Sequence, residues 1–263
     1  MLAVRSVLGC YALKGGVGKT SAAVNLAWLA AESGHKTLLW DLDPQAAATF
    51  LLRAKAKVKG GTAKLLRGDT NPQDVVKCTV HERLDLLPAE VLYESADLDL
   101  DAAKKSGRRV ERVLRELPDY ELIVLDGPPG LSLLSTNIVH ATDLLLVPIV
   151  PSPLSLRTLD QVVEFVGSVD GAEPGVLAFL SMVDPRRALH REVIALVADR
   201  YLDVARAMVP ASATIERMGQ RRAPVVTWAA HTRAAESYRA LWDEVQERLS
   251  LRRPDRNAPS PSV

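Results

Sequence analysis

Residues 13–20, LKGGVGKT, stand between two segments of different character. Before them residues 5–11 (RSVLGCY) form a short apolar run, and after them residues 19–31 carry Ala22, Ala23, Leu26, Ala27, Leu29 and Ala30 at helical spacing. Strand, glycine loop and helix in that order place the loop at the carboxyl end of a strand, where open α/β sheets bind their ligands. Backbone N–H groups of Gly15, Gly16 and Gly18 can converge on an anion there, because glycine allows both positive φ angles and close approach. The segment satisfies the phosphate-binding pattern G-x-x-x-x-G-K-[ST] at every position but the first, which is Leu13. Lys19 then stands beside terminal phosphates, and Thr20 opens the helix with a hydroxyl suited to Mg²⁺. Residues Gly15, Gly16, Val17, Gly18, Lys19, Thr20 and Ser21 form the candidate nucleotide seat. The phosphate pattern leaves Lys14, five residues ahead of Lys19, without a role.

The remaining chain repeats the alternation of strand and helix. Gly34 ends the first helix, and residues 36–40 (KTLLW) read as a strand that delivers Asp41 and Asp43 at its carboxyl end. Residues 53–82, mixed and lysine-rich with turns at Gly68-Asp69 and Asn71-Pro72, read as a peripheral excursion, and residues 84–87 as a returning strand. A helix over 107–117 precedes a buried strand over 121–125 ending at Asp126-Gly127-Pro128-Pro129. Strands over 144–150 and 176–182 then alternate with helices over 154–166 and 189–200, and a last helix covers 232–249. The pattern predicts one α/β domain over residues 1–251, a mostly parallel sheet flanked by helices on both faces, and a disordered Pro- and Ser-rich tail over 252–263.

Asp126 has the placement of the carboxylate that holds Mg²⁺ in P-loop nucleotidases. Asp41 and Asp43, two residues apart at a strand end, point the same way and offer one carboxylate to a metal and one to an attacking water. The two cysteines, Cys10 and Cys78, are far apart and form no C-x-x-C pair, which argues against a disulfide framework or a cysteine metal cluster. No apolar run reaches the ~20 residues that span a bilayer, and the N-terminus shows no cleavage-site pattern, so a soluble cytoplasmic chain is expected. A net charge of +1 gives no global attraction to nucleic acid, so any such binding must come from a local patch.

Together these stretches resemble the ParA/MinD group of deviant Walker A P-loop ATPases, most of all its ParA branch. The matching segments are KGGVGKT (14–20), DLDPQ (41–45), VLDGPPG (124–130), VPIVPSPLSL (147–156), MVDPRRALHREV (182–193) and PVVTWAAHTRAAESYRALWDEV (224–245), in the family's order over nearly the whole chain. The resemblance gives Lys14 its role. Two subunits face each other across two ATP molecules, and each Lys14 reaches the phosphates held by its partner, so ATP and Mg²⁺ assemble a homodimer. By position, Lys19 contacts the β- and γ-phosphates, Thr20 and Asp126 serve Mg²⁺, and Asp43 orients the hydrolytic water. Asp41 is a secondary candidate for the metal shell, and Pro210, in the MVP segment after a predicted strand, helps frame the adenine. The chain departs from the family at Ala12-Leu13 and at Ala46-Ala47, where DPQGN is common, and the second departure bears on hydrolysis more than on nucleotide binding.

Family members adhere to a surface as ATP-bound dimers and are released when a partner protein triggers hydrolysis. For a DNA surface, Arg186, Arg187 and Arg191 form one basic cluster and Arg217, Arg221 and Arg222 a second, suited to salt-sensitive, non-specific phosphate binding. For a membrane surface, Tyr238, Leu241, Trp242, Val245 and Leu249 make an apolar stripe on the last helix, but a stripe followed by RRPDRNAPSPSV reads as core docking, without a stable membrane anchor. Few residues precede the first strand, so site-specific operator binding by an N-terminal helix-turn-helix is not expected. The expectation is a nucleoid-associated ParA-type ATPase that segregates or positions a chromosome, plasmid or other cargo with a ParB-like or adaptor partner; a MinD-like or orphan positioning ATPase is the alternative.

Overall fold

The computed structural model describes residues 5–55, 62–89, 106–117, 119–201 and 203–251. Among these, eight strands form one sheet in the order β3-β4-β2-β5-β1-β6-β7-β8. They are β1 (Ser6–Cys10), β2 (Thr37–Asp41), β3 (Lys77–Cys78), β4 (Leu84–Leu87), β5 (Leu122–Asp126), β6 (Leu144–Ile149), β7 (Gly175–Val183) and β8 (Val204–Pro210). Every pairing is parallel except that of β3 with β4. The described helices are α1 (Lys19–Glu32), α2 (Ala47–Leu51), α3 (Thr62–Arg67), α4 (Arg109–Arg115), α5 (Leu133–Ala141), α6 (Pro153–Ser168), α7 (Ala188–Arg200), α8 (Ala213–Glu216), α9 (Met218–Arg221), α10 (Val225–Trp228) and α11 (Arg233–Leu251).

The two-residue period of the strands divides the core into two layers. Leu8, Leu39, Val124, Leu146 and Phe179 face one layer with α1 and α11, while Val7, Trp40, Ile123, Leu145 and Leu180 face the other with α4, α5 and α6. The stripe on α11 docks into the first layer: Tyr238, Leu241, Trp242, Val245 and Leu249 are all buried. It is core, as its spacing and polar continuation suggested.

Several elements differ from the sequence reading. The excursion over 53–82 is not merely peripheral, since Leu65 and Leu66 of α3 and Val75 are buried in the second layer and β3 adds an antiparallel edge strand. Strand β8 was read only as a strand without bounds ahead of Pro210, and helix α5 was not read from the sequence. Their signals are present in retrospect: Ala205, Ala207 and Val209 alternate with Arg206 and Met208, and Ser132 caps α5 by accepting a hydrogen bond from Ser135 N. Polar Ser135 and Asn137 occupy buried positions of α5 and break its apolar period; Asn137 Oδ1 accepts from Arg109 N at 2.7 Å. Asp41 and Asp126 are the last residues of their strands rather than the first beyond them. The tail over 252–263 lies outside the described residues.

Candidate nucleotide site

β1 lies between β5 and β6, so the loop that follows it opens at the middle of the sheet's carboxyl edge. Two glycines shape that loop. Gly16 has φ +74°, and Gly18 has φ +91°, a conformation that costs other residues about 1–2 kcal/mol. A Cβ on Gly18 would also meet Ser181 Oγ of β7 at 2.6 Å, so the loop packs where only glycine fits. A Cβ on Gly15 or Gly16 would meet nothing within 4 Å, which leaves open space above the loop for a ligand. Tyr11 Oη donates to Gly130 O at 3.0 Å and Gly130 N to Ala12 O at 3.1 Å, tying the loop after β5 to the entry of the glycine loop.

Register brings the acidic residues together: Cys10 pairs with Asp126, and Asp126 with Asp41, at the ends of three adjacent strands. Into this group runs Lys19, buried at the start of α1. Its Nζ lies 2.6 Å from Asp126 Oδ1 and 3.4 Å from Asp43 Oδ2, and 3.4 Å from Thr20 Oγ1. Burial alone would lower the Lys19 ammonium, but the charge and hydrogen bond of Asp126, joined by Asp43, outweigh it and hold Lys19 charged. Burial pushes the Asp126 carboxyl up, against the charge and hydrogen bond of Lys19 and the influence of the nearby Thr20 hydroxyl. The same burial, with Asp126 beside it, raises the Cys10 thiol and keeps it protonated.

Among the described residues Asp126 Oδ2 has no hydrogen-bond partner, and the residue is fully enclosed. An orphaned carboxylate oxygen beside the Thr20 hydroxyl fits a hard cation, which takes oxygen ligands and carries the charge that burial disfavours. Among the described residues no group of three or more His, Cys, Asp or Glu forms a self-contained metal cage.

Asp41 and Asp43 do different things. Asp41 Oδ2 accepts from Thr49 N at 2.8 Å and Thr49 Oγ1 at 2.7 Å, and Oδ1 accepts from Asp43 N at 3.2 Å. Burial, then the Asp126 charge, raises Asp41 to about 7 against these bonds. Its oxygens are engaged in folding the loop and α2. Asp43 Oδ1 accepts from Gln45 N at 3.0 Å, and its other oxygen faces Lys19 and the cleft.

Lys14, Gly15, Gly16, Gly18, Lys19, Thr20, Ser21 and Asp43 line one cleft of about 280 Å³ with Pro129 and Met182. Lys14 is exposed at its rim. Val17 turns instead to a neighbouring apolar pocket with Ala12, Leu13 and Ile149. Pro210 is not in this lining: it ends β8, three strands from β1, paired with Val183. The sequence reading passed over Thr49, which holds Asp41, and Met182, which has φ +55° where β7 shifts register. Thr49 lay in reach as a hydroxyl near a strand-end aspartate; Met182 has no sequence signal.

The two arginine clusters follow β7 and β8, adjacent strands whose ends are joined by Ala211 N donating to Val183 O at 3.0 Å. Arg186 is spread over the Asp184 carboxylate, Nε to Oδ1 at 2.9 Å and one terminal nitrogen to Oδ2 at 3.0 Å, and pulls Asp184 down to about 2. Arg191 donates to Pro185 O at 2.8 Å, and Arg187 is exposed ahead of α7. Arg217 and Arg221 are exposed, Arg221 with its guanidinium 5.4 Å from the Trp228 ring centroid. Arg222 is half-buried and donates to Phe50 O of α2 at 3.0 Å. Among the described residues no helix is long and apolar enough to cross a membrane.

Comparison with known proteins agrees with this geometry. The model of the AAA domain family matches residues 6–175. The chain is 33% identical over 241 residues to the sporulation initiation inhibitor protein Soj of Bacillus subtilis, covering 88% of this chain and 94% of that protein. It is 30% identical over 252 residues to the chromosome partitioning protein ParA of Myxococcus xanthus, covering 92% and 88%. Among solved structures it superposes on cobyrinic acid a,c-diamide synthase from Mycobacterium smegmatis with bound ATP analogue and magnesium, with TM-score 0.80, 27% identity and coverage of 94% and 96%. With a glycine loop at the centre of a parallel sheet, a lysine on each side of its glycines and a strand-end aspartate behind it, the chain belongs to the ParA/MinD family of deviant Walker A P-loop ATPases.

Proposed function

We propose that this protein is a partitioning ATPase of the ParA type, which binds ATP with Mg²⁺, dimerises around it and holds DNA without sequence preference. The observation that carries the reading is Lys19 buried between Asp126 and Asp43 beneath an open glycine loop, with Asp126 Oδ2 unpartnered and Lys14 exposed at the rim. Thr20 and Asp126 would hold Mg²⁺, which would supply positive charge to neutralise the phosphates. Lys19, at the start of α1 beneath the glycine loop, would present its ammonium to the phosphates. Asp43 accepts a hydrogen bond from the attacking water and orients it. Asp41 holds the Asp43 loop in place through Thr49.

Lys14 acts across the dimer. It lines the cleft but is exposed, so its ammonium is available to phosphates held by a second subunit, where a cation supplied in trans offsets charge between two nucleotides and on the transferring group. Arg217 and Arg221, doubled by the two-fold, provide the phosphate contacts of the DNA surface, which makes the protein nucleoid-associated. A partner encoded elsewhere stimulates hydrolysis and carries the cargo.

The test is binding to a random-sequence duplex with ATP, with ADP and without nucleotide at two salt concentrations, with anionic liposomes in parallel. ATP-dependent, salt-sensitive DNA binding is expected; ATP-dependent binding to liposomes alone would replace the DNA reading with a membrane one. Phosphate release in the absence of any carboxylate acceptor separates this reading from the amide synthesis named for the Mycobacterium smegmatis neighbour.

A further inference from the structure

Between the nucleotide cleft and the second arginine cluster lies a set of contacts that neither phosphate binding nor DNA binding uses. Arg53, two residues past α2, donates from Nε to Arg222 O at 3.1 Å and from a terminal nitrogen to Arg221 O at 3.0 Å. Arg222 reciprocates, with Nε donating to Phe50 O at 3.0 Å and its guanidinium 4.5 Å from the Phe50 ring centroid. Both arginines have left-handed backbones, φ +59° at Arg53 and +49° at Arg222, a conformation that residues other than glycine seldom adopt. α2 is itself fixed to the cleft, because Asp41 at the end of β2 binds both the N–H and the hydroxyl of Thr49. A second link runs from the phosphate loop: Asn25 of α1, fully buried, accepts from Val226 N at 3.3 Å and places its amide nitrogen 3.3 Å from Met218 Sδ and 2.7 Å from Ser21 O.

We infer that Arg53, Phe50 and Arg222 form a clasp that transmits the state of the Asp43 loop to the basic segment at Arg217–Arg221, and that Arg222 is a positioning residue rather than a DNA contact. The inference rests on the ATPase reading above. The chain of contact is short: Asp43 and Asp41 share one loop with α2, the clasp ties α2 to the carbonyls of Arg221 and Arg222, and Asn25 pins Met218 and Val226 on the segment's other side. Nucleotide that draws Lys19 away from Asp43 changes the loop at one end of this chain, and a segment held at both ends must follow. A guanidinium suits the purpose because its fork reaches two carbonyls at once, which an ammonium cannot do with the same geometry.

The experiment is hydrogen–deuterium exchange of the full-length protein with and without ATP and Mg²⁺, in the wild type and in Arg53→Ala and Arg53→Lys. Arg53 is exposed and touches no part of the cleft, so both variants should keep the wild-type exchange response at residues 13–21. In the wild type a second response is expected over 213–228; in both variants it should disappear, the lysine variant keeping the charge but losing the fork. A thermal melt of each variant confirms that the fold persists. DNA binding gives the functional counterpart: the preference for ATP over ADP should fall at least about fivefold in Arg53→Ala, the lower range of coupling between sites. A 213–228 response unchanged in both variants overturns the clasp while leaving the ATPase reading intact. No ATP response at 13–21 in the wild type overturns that reading, and the clasp with it. Wild-type protein that responds at both segments but does not prefer DNA with ATP removes only the DNA assignment, since the exchange data then carry the clasp alone.

Discussion

The carboxyl edge of the sheet has two halves that handle charge in opposite ways. Around β1, β2 and β5, one lysine and its carboxylates are buried in contact and their distances are set by strand register. Beyond β7 and β8, the arginines are mostly exposed and several are engaged locally, Arg186 with Asp184 and Arg191 with Pro185 O. Buried charges are strong and individually indispensable, because removing one leaves its partners uncompensated. Exposed charges are weak singly and act as a sum. Two arrangements of charge, one buried and paired and one exposed, therefore share one sheet edge.

The largest expected effect is at the buried end. Lys19→Ala removes the only cation in contact with Asp126 among the described residues and the group aimed at the phosphates, so phosphate release should fall about 10²–10³-fold, the usual loss for a preorganised donor. Release within tenfold of wild type would break the contrast, for it would mean that this cation is as dispensable as a surface one.

Lys14→Ala separates the two lysines. An exposed side chain contributes little to its own subunit, so binding of a fluorescent ATP analogue should stay within about threefold of wild type. ATP-dependent dimerisation, followed by light scattering, should vanish. A variant that still dimerised normally with ATP would show that Lys14 does not act in trans.

On the arginine side the effect is smaller and graded. Arg217→Ala with Arg221→Ala should weaken DNA binding and reduce the slope of log K against log salt by about 0.9 for each DNA phosphate that is no longer neutralised. Arg186→Ala should change that slope less, because its guanidinium already serves Asp184. Equal slopes for all variants and wild type would remove both clusters from the DNA surface.

The same division decides what could be read from sequence. The glycine loop, α1, the strand ends at Asp41 and Asp126 and the buried stripe of α11 were legible because backbone geometry and apolar period are written locally. The separate tasks of Asp41 and Asp43 were not, since they depend on Thr49, eight residues on in a short helix that no periodicity marks. Nor was the Arg53–Arg222 pairing, which joins residues 169 positions apart and leaves no trace in either segment alone. Burial of Leu65 and Leu66 was hidden by the charged residues around them.

The smallest effect tests the loop that joins the halves. Ala46 precedes α2 with φ +54°, at the position where the DPQGN pattern of the resemblance has glycine, and its strain of about 1–2 kcal/mol is borne by a loop fixed at Asp41 and at the clasp. Ala46→Gly relieves that strain but gives the unfolded chain more freedom, an opposing term of about 0.4–1 kcal/mol. The net gain should be about 0.5–1 kcal/mol, seen as a higher urea midpoint at unchanged m-value. If the midpoint falls instead, entropy outweighs strain at Ala46, and the rigidity of this loop comes from its Asp41 and Arg53 anchors rather than from any tension between them. A rise accompanied by a weaker ATP preference for DNA would show that the strain itself helps hold the loop in register with the arginine segment.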